Sequence, residues 1–532
     1  MDRKVYINGM IFTSDDSNLH ADSLITENGK VAWVGKAYDM PEMKSAEVVD
    51  LEGRCVLPGF VDGHMHVGML ADQINQISCL PPVIRSMNEL IDEIKKRAEH
   101  IQEGEWIEAW GLDENKFPEK RLVNKYDLDT ATREHPVSIT RTCSHIRCVN
   151  SKALELAGID RDTPDPDGGE IQRDSDGEPT GVLIENARNL VTPIIPSPTH
   201  NDKINNIIKA GEILASQGIT TVVDMGSLEG EDLYDYFVEA SQKGFKQHIA
   251  LYYIWDYFAD NERLKIDANK VKEDAKVRIA GLKLLADGSI SGRTAWMSKP
   301  YLGSEDEFGM SVCSDELIDS AIEFCKKNAL QLSIHAMGGQ AIDRVVNRIN
   351  KETSWTPQGV PFARVEHVTD PSEKAVEIAA DKGIYFVTQP NFLYAEIEAY
   401  KKNLGDSWMT KTYPVKYMLD KGVKIALSTD APATAWAQPS DPIPCLKCAV
   451  TRKAYDGTDC GRSERINIET AIKLYTKGSA EAAGFGNIGM LKEGYSADFI
   501  VLDRNILGID SEDIDKVKVL KTYKEGICIY EA

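Results

Sequence analysis

Apolar runs rich in Val, Ile and Leu, several of them closed by a polar residue, recur along the middle of the chain at 60–66, 220–225, 248–255, 278–287, 331–335, 363–368, 384–389 and 424–430. Runs of this kind, bounded by turn residues, read as strands buried on both faces. Between them lie stretches with apolar residues at helical spacing, among them 89–101, 202–217, 315–328 and 371–382. Strand and helix in alternation predict parallel βα units, and eight such strands predict an α/β fold, a (β/α)8 TIM barrel. The gap between the first two runs is far longer than a βα crossover needs, so a large insertion is expected at about 70–215. It carries 106–113, 137–148 and a Gly/Asp/Pro-rich turn at 163–169.

The termini follow a different rhythm. Short β-like runs at 4–7, 11–13, 23–27, 30–34 and 47–51 alternate with turns, and Asn8-Gly9 and Asn28-Gly29 are expected to close hairpins. After a helical stretch at 468–483, further strands are expected at 497–502, 518–523 and 526–530. Two β-rich ends around an α/β middle predict one small β-sandwich domain from 1–57 and 484–532, with the barrel in 58–483.

Composition narrows the partners. The chain has 532 residues, and 61 Lys+Arg against 84 Asp+Glu give a formal net charge of −23, which disfavours nucleic acid and anionic membranes. Residues 1–20 lack the apolar stretch of a signal peptide, and nothing resembles a membrane span, so a soluble, cytoplasmic protein is expected. The 10 cysteines are too scattered for a disulfide framework and fit a reducing compartment. One pair, Cys445 and Cys448, has Cys-x-x-Cys spacing, but no second pair completes a zinc site, and the pair is read as incidental.

Candidate chemistry starts at the end of the first run, Val56-Leu57-Pro58-Gly59-Phe60-Val61-Asp62-Gly63-His64-Met65-His66. On a strand, residues i and i+2 share a face, so His64 and His66 can reach one ion while Met65 faces away. Polar residues at or near the ends of later runs add Lys283, His335, His367 and Asp430. In a barrel all such ends open on one face, so these groups converge there. Taken singly, His335 or His367 could be a hydrogen-bonded core histidine and Asp430 a helix cap. Lys283 lies between leucines, where a plain ammonium is costly. Carbon dioxide uptake would make it an anionic carbamate able to bridge two cations; a lysine reaching the rim or paired with Asp287 is the alternative.

These residues sit in segments that resemble the amidohydrolase superfamily of metal-dependent hydrolases, in particular its N-substituted formamide deformylase-like branch. The matching pieces are VLPGFVDGHMH, SHIRCVNSKALELAGI, PDPDGGEIQRDSDGEPTGVLIENA, GLKLLADGSISGRTA, LSIHAMGGQAID, RVEHV, LSTDAP and GMLKEGYSADFIVLD, spanning about 50–503. The resemblance implies His64, His66, His335 and His367 as metal ligands, Lys283 as an N6-carboxylysine bridge, and Asp430 as ligand and catalytic base. It implies one or two ions, most plausibly zinc. Two departures stand out. The loop after Lys283 reads Gly288-Ser289-Ile290-Ser291-Gly292-Arg293-Thr294-Ala295, with its small residues exchanged, and Cys143-Ser144 precedes His145 where relatives carry Asp-Gly or Ser-Gly.

The expected reaction is hydrolysis of an amide C–N bond, in an N-formyl or N-acyl amine, by a metal-activated water with Asp430 as base and then acid. His145 is a candidate catalytic residue that meets the substrate or its oxyanion, and Arg293 could also meet that oxyanion; a structural role for His145 is equally open. Trp110, Glu185, Arg293 and Gln389 are candidate substrate-binding residues. Glu185 could instead orient a histidine or be a plain helix-terminal charge. A deaminase of a cyclic amidine on the same fold is the nearest rival, but Ala336-Met337-Gly338-Gly339-Gln340 follows His335 without the carboxylate such an enzyme uses. A non-catalytic scaffold is the other alternative. A small-molecule substrate and a homodimer are expected.

Overall fold

The computed structural model describes residues 3–42, 46–142, 145–259, 264–272 and 274–532. Eight parallel strands form one sheet in sequence order: Phe60–Met65, Ile219–Asp224, His248–Ile254, Val277–Leu285, Gln331–Ala336, Ala363–His367, Tyr385–Thr388 and Ile425–Leu427. We refer to them as barrel strands one to eight. Their residues are almost all buried, which is why they read as unbroken apolar runs rather than as alternating ones. The connecting helices carry ordinary stop signals. Ser372 caps Glu373–Lys382 by accepting from Ala375 N, and Gly383 ends it at φ 67.

The sheet is nearly closed, and the seam between strands eight and one is held by bonds outside any ladder. Asp430 N donates to His64 O (2.8 Å) and His66 N to Ala431 O (2.7 Å). The Asp62 carboxylate accepts from Thr429 Oγ1 (2.7 Å) and Tyr475 Oη (2.5 Å). Tyr475 belongs to a π-helical turn, Leu474–Gly478, which interrupts the single helix expected over 468–483.

Two further sheets draw on the chain termini. A four-stranded sheet has the order Lys30–Gly35, Ser23–Glu27, Arg3–Ile7, Glu47–Asp50. In a six-stranded sheet, the C-terminal strand Phe499–Leu502 pairs antiparallel with Cys55–Pro58 of the N-terminal segment. Tyr6, Leu24, Val56, Phe499 and Tyr523 share one apolar core. Asn28-Gly29 closes a two-residue hairpin, with φ 51 and 79 as a type I′ turn requires. Asn8-Gly9 does not close one. Arg3–Ile7 pairs with Ser23–Glu27 while Met10–Phe12 pairs in the other sheet, so this turn carries the chain between sheets. Only Asn8 there has a positive φ (57°), and a Cβ on Gly9 would meet Leu51 Cδ1 at 2.6 Å.

The chain divides into two compact units, one of Met1–Leu70, Ile207–Thr434 and Ser440–Ala532, the other of Ala71–Asn206 and Ala435–Pro439. The second is built on its own mixed six-stranded sheet, packed on Leu90 and Ile94 of the helix Met87–Ala98. Among the described residues no helix is long and apolar enough to cross a membrane.

Candidate active site

Four imidazoles meet at the C-terminal ends of barrel strands one, five and six. Ring centroids lie 5.7 Å apart for His64 and His66, 4.9 Å for His64 and His367, and 4.3 Å for His335 and His367. Each ring has one nitrogen committed to an acceptor. His64 Nδ1 lies 2.7 Å from Glu366 Oε2, His66 Nδ1 2.8 Å from Gly226 O, and His367 Nδ1 2.9 Å from Gln389 Oε1. His335 uses its other nitrogen, Nε2, toward Gly288 O (2.9 Å). A ring nitrogen hydrogen-bonded to a carbonyl or carboxylate oxygen at this range carries the proton. The remaining nitrogen, Nε2 in three rings and Nδ1 in His335, is therefore a free lone pair in the neutral ring. Burial supports neutrality: it drives His64 and His367 well below the ordinary imidazole value and brings His66 to about 4.

Asp430 completes the cluster from the turn after strand eight. Its Oδ1 is 3.3 Å from His64 Nε2 and 3.6 Å from His66 Nε2, and its Oδ2 is 3.9 Å from His367 Nδ1. Oδ1 is buried and has no hydrogen-bond partner. Burial raises the Asp430 carboxyl well above the usual carboxylate range, with Lys283 opposing, so without a cation it tends to hold a proton; a cation between this group and the imidazole lone pairs would take that proton's place. Ligand atoms of His64, His367 and Asp430 all lie within 4.8 Å of one another, and this buried trio can hold a metal ion. The donor set of imidazoles and carboxylate fits a borderline divalent cation. Lys283, on strand four, is only 2% exposed and lines the same cavity; burial lowers its amine's pKa, with Glu366 and Asp430 opposing the shift.

Backbone strain marks the same rim. His367 (φ 73), Val368 (φ 49) and Asp430 (φ 57) all occupy the left-handed region that β-branched and bulky residues avoid. At His367 this breaks the strand's alternation and lets adjacent Glu366 and His367 both serve the site.

The cavity above the cluster has a volume of about 390 Å³, and Met69, Leu228, Ile254, Ile290, Met337 and Phe392 give it apolar walls. Gly288, Ser289, Ser291 and Thr294, from the loop after strand four, also line it.

Of the other candidates, Arg293 and Gln389 belong to the same unit as the cluster, and His145, Glu185 and Trp110 to the second. Arg293 directs its guanidinium to Glu307 (Nε–Oε1 2.9 Å) and over the Tyr301 ring. Gln389 bonds His367 and is itself oriented by Nε2 donation to Ser428 Oγ (2.9 Å). His145 and Glu185 form a pair in the second unit, Nδ1 to Oε2 at 2.9 Å, both well exposed, and Trp110 lies on the strand Ile107–Leu112 of that unit. Cys143 and Ser144 lie outside the described residues. Cys445 and Cys448 are buried on the helix Pro442–Thr451.

Four residues escaped the sequence reading. Glu366 and Arg364 lie beneath His64. Asp224 accepts from Val67 N (2.7 Å) and Gly226 N (2.8 Å), shaping the turn that meets His66. Asp287 accepts from Met337 N (3.0 Å) and Gly338 N (2.8 Å), tying the loops after strands four and five. Three are carboxylates inside or just after an apolar run and Arg364 is a guanidinium inside one, and that burial cost was the available signal.

Comparison with known proteins agrees with this geometry. Residues 47–530 match the model of the amidohydrolase family. The chain is similar to YtcJ of Bacillus subtilis (strain 168), 28% identical over 552 residues with 99% of each chain covered. It is also similar to the N-substituted formamide deformylase of Arthrobacter pascens, 27% identical over 542 residues with 99% of this chain and 98% of that one covered. Among solved structures, an uncharacterized metal-dependent hydrolase from Pyrococcus furiosus superposes with a TM-score of 0.73 at 27% identity, covering 95% of this chain and 100% of that one. The chain therefore belongs to the amidohydrolase family and is a hydrolase acting on carbon–nitrogen bonds.

Proposed function

We propose that the protein hydrolyses the C–N bond of an N-formyl or N-acyl amine, with Asp430 moving the proton. The observation that carries this reading is the buried, unpartnered Asp430 Oδ1 facing the Nε2 atoms of His64 and His66. His64, His66, His335, His367, Asp430 and a carboxylated Lys283 would hold one or two divalent cations, zinc in our reading. A cation there supplies Lewis acidity toward a carbonyl oxygen and lowers the pKa of water.

The protein's own groups do the rest. Asp430 accepts a proton from the attacking water as the water oxygen bonds to the carbonyl carbon, then returns that proton to the nitrogen as the C–N bond breaks, releasing an amine and a carboxylic acid, which then ionises in solution. The neutral rings keep their lone pairs directed inward. Lys283, with its pKa lowered by burial, offers more of the neutral amine that attacks carbon dioxide. We keep His145, whose Nδ1 lies 2.9 Å from Glu185 Oε2, as the residue that meets the substrate or its oxyanion. Arg293 is engaged by Glu307, so we assign it to shaping the loop. Gln389 acts through His367.

The apolar cavity walls suit a hydrophobic N-substituent, and the deformylase relative supports a formyl or small acyl group. A terminal β-sandwich (1–57 and 484–532), a barrel over 58–483, a homodimer and a cytoplasmic location complete the proposal. The test is elemental analysis of protein made with zinc and bicarbonate, followed by a screen of N-formyl and N-acyl amines. About two ions per chain with amine release supports the reading. Turnover that persists after complete metal removal, or in Asp430→Asn, overturns it.

A further inference from the structure

Beneath the four imidazoles lies a fully buried ion pair. Arg364 and Glu366, both 0% exposed, sit two residues apart on barrel strand six. Glu366 Oε1 accepts from Arg364 Nε (2.5 Å) and Ser333 Oγ (2.8 Å), and Oε2 accepts from Arg364 Nη2 (2.9 Å) and His64 Nδ1 (2.7 Å). Arg364 Nη2 also donates to Gly63 O, next to His64, at 2.5 Å, and its guanidinium lies 5.5 Å from the centroid of the Tyr252 ring. Three of the four bonds to this carboxylate clamp it in place; the fourth holds His64.

The four imidazoles are not equivalent. His66, His335 and His367 each bond a neutral acceptor, two backbone carbonyls and one amide. His335 Nε2 also lies 3.3 Å from Asp287 Oδ1, but His64 makes the short contact, 2.7 Å to Glu366 Oε2, and only there is the carboxylate the ring nitrogen's hydrogen-bond acceptor. A charge-assisted bond of this length is roughly twice as strong as a neutral one, and it makes the opposite ring nitrogen a better electron-pair donor. A buried carboxylate is costly, and Arg364 offsets that cost without leaving net charge under the site. An apolar residue pair would fill the same volume more cheaply, so the ion pair calls for a function.

We propose that Glu366, clamped by Arg364, is a positioning residue that fixes the tautomer and direction of His64 and so sets the affinity of the site for its metal. This rests on the metal-binding reading above. It acts through His64 and does not touch the reacting atoms.

The test measures Zn2+ affinity of metal-free, full-length protein by competition with a chromophoric chelator. Glu366→Asp keeps a negative charge against Arg364 but draws the carboxylate back from His64. The double variant Arg364→Met/Glu366→Gln removes the ion pair without stranding a buried charge. Both are expected to bind Zn2+ about 10–100-fold more weakly than wild type. Ser333→Ala, which only loosens the clamp, is expected to lose a smaller factor in the same direction and serves if the others do not fold. Lys524→Met, which breaks a buried ion pair away from the histidines, is expected to lower stability and leave Zn2+ affinity unchanged.

Glu366 variants that bind Zn2+ as tightly as wild type overturn the inference alone. So does an equal loss in Lys524→Met, which would make the effect one of general stability. A wild-type protein that takes up no Zn2+ overturns the metal reading, and this inference with it.

Discussion

Two buried charge clusters in the same unit differ in how completely they are satisfied. One gathers around Asp498 and Lys524, beside the start of barrel strand three. Lys524 Nζ donates to Asp498 Oδ2 (2.6 Å) and His248 Nδ1 (2.9 Å), Ser496 Oγ and Glu525 N both donate to Asp498 Oδ1 (2.7 and 2.8 Å), and His248 Nε2 meets Glu525 Oε1 at 3.2 Å. The other lies at the opposite ends of the strands, where Asp430 Oδ1 is buried without a hydrogen-bond partner and faces the Nε2 atoms of His64 and His66. Both carry the desolvation cost of buried charge. The first offsets it within the protein and needs nothing more. The second leaves its donors and acceptors mismatched, and such an imbalance marks a place built for a further group.

That contrast can be broken or sharpened by substitution. The largest effect is expected from Asp430→Asn, which keeps the shape but removes the base. The rate on an active N-formyl or N-acyl amine should fall by about 10²–10⁴-fold while metal remains bound. A near-normal rate would place Asp430 with the satisfied, structural carboxylates. Next, Lys283→Ala should lower the metal content per chain, and a short carboxylic acid added during loading should restore part of it. Unchanged metal in the variant would reduce Lys283 to a cavity wall.

The satisfied cluster should respond only in stability. Lys524→Met strands Asp498 and is expected to cost about 3–5 kcal/mol in urea unfolding, with turnover unchanged. A fall in turnover at full folding would erase the distinction drawn here.

The smallest effect concerns pH. The hydrogen bond from His248 draws Glu525 from its ordinary 4.5 down to about 2. A carboxylate whose folded value is depressed stabilises the fold above the unfolded value and loses that contribution as pH falls through the folded one. Glu525→Gln should therefore lower the urea midpoint at pH 7, and the gap to wild type should narrow from pH 4.5 toward pH 2. Because this side chain is half exposed, solvent screening keeps the effect small. A gap that does not change with pH would remove the carboxylate from the cluster.

Much of the barrel was legible along the chain. Parallel strands covered on both faces must be continuously apolar, so each polar residue interrupting one stood out, and His64, His66, Lys283, His335, His367 and Asp430 were found that way. Glu366 was hidden by the same logic. Strict alternation allows only one of two adjacent residues to face inward, and His367 was the obvious one. The positive φ at His367 lifts that restriction, and nothing in Arg364-Val365-Glu366-His367-Val368 announces it. The Asn8-Gly9 pair shows the converse: a strong local hairpin signal was overridden because the strands on either side found partners in different sheets.

The sequence by itself determined the kinds of element, their order and which side chains carry chemistry, because burial and backbone geometry act over a few residues. Only the tertiary structure decided which of those side chains are satisfied. His64 meets Glu366 302 positions along the chain and Asp62 meets Thr429 367 positions away, and such bonds depend on where the strands come to lie. Hydrogen bonding is short-ranged in space and indifferent to distance along the chain, so the difference between a filled cluster and a waiting one appears only once the barrel has closed.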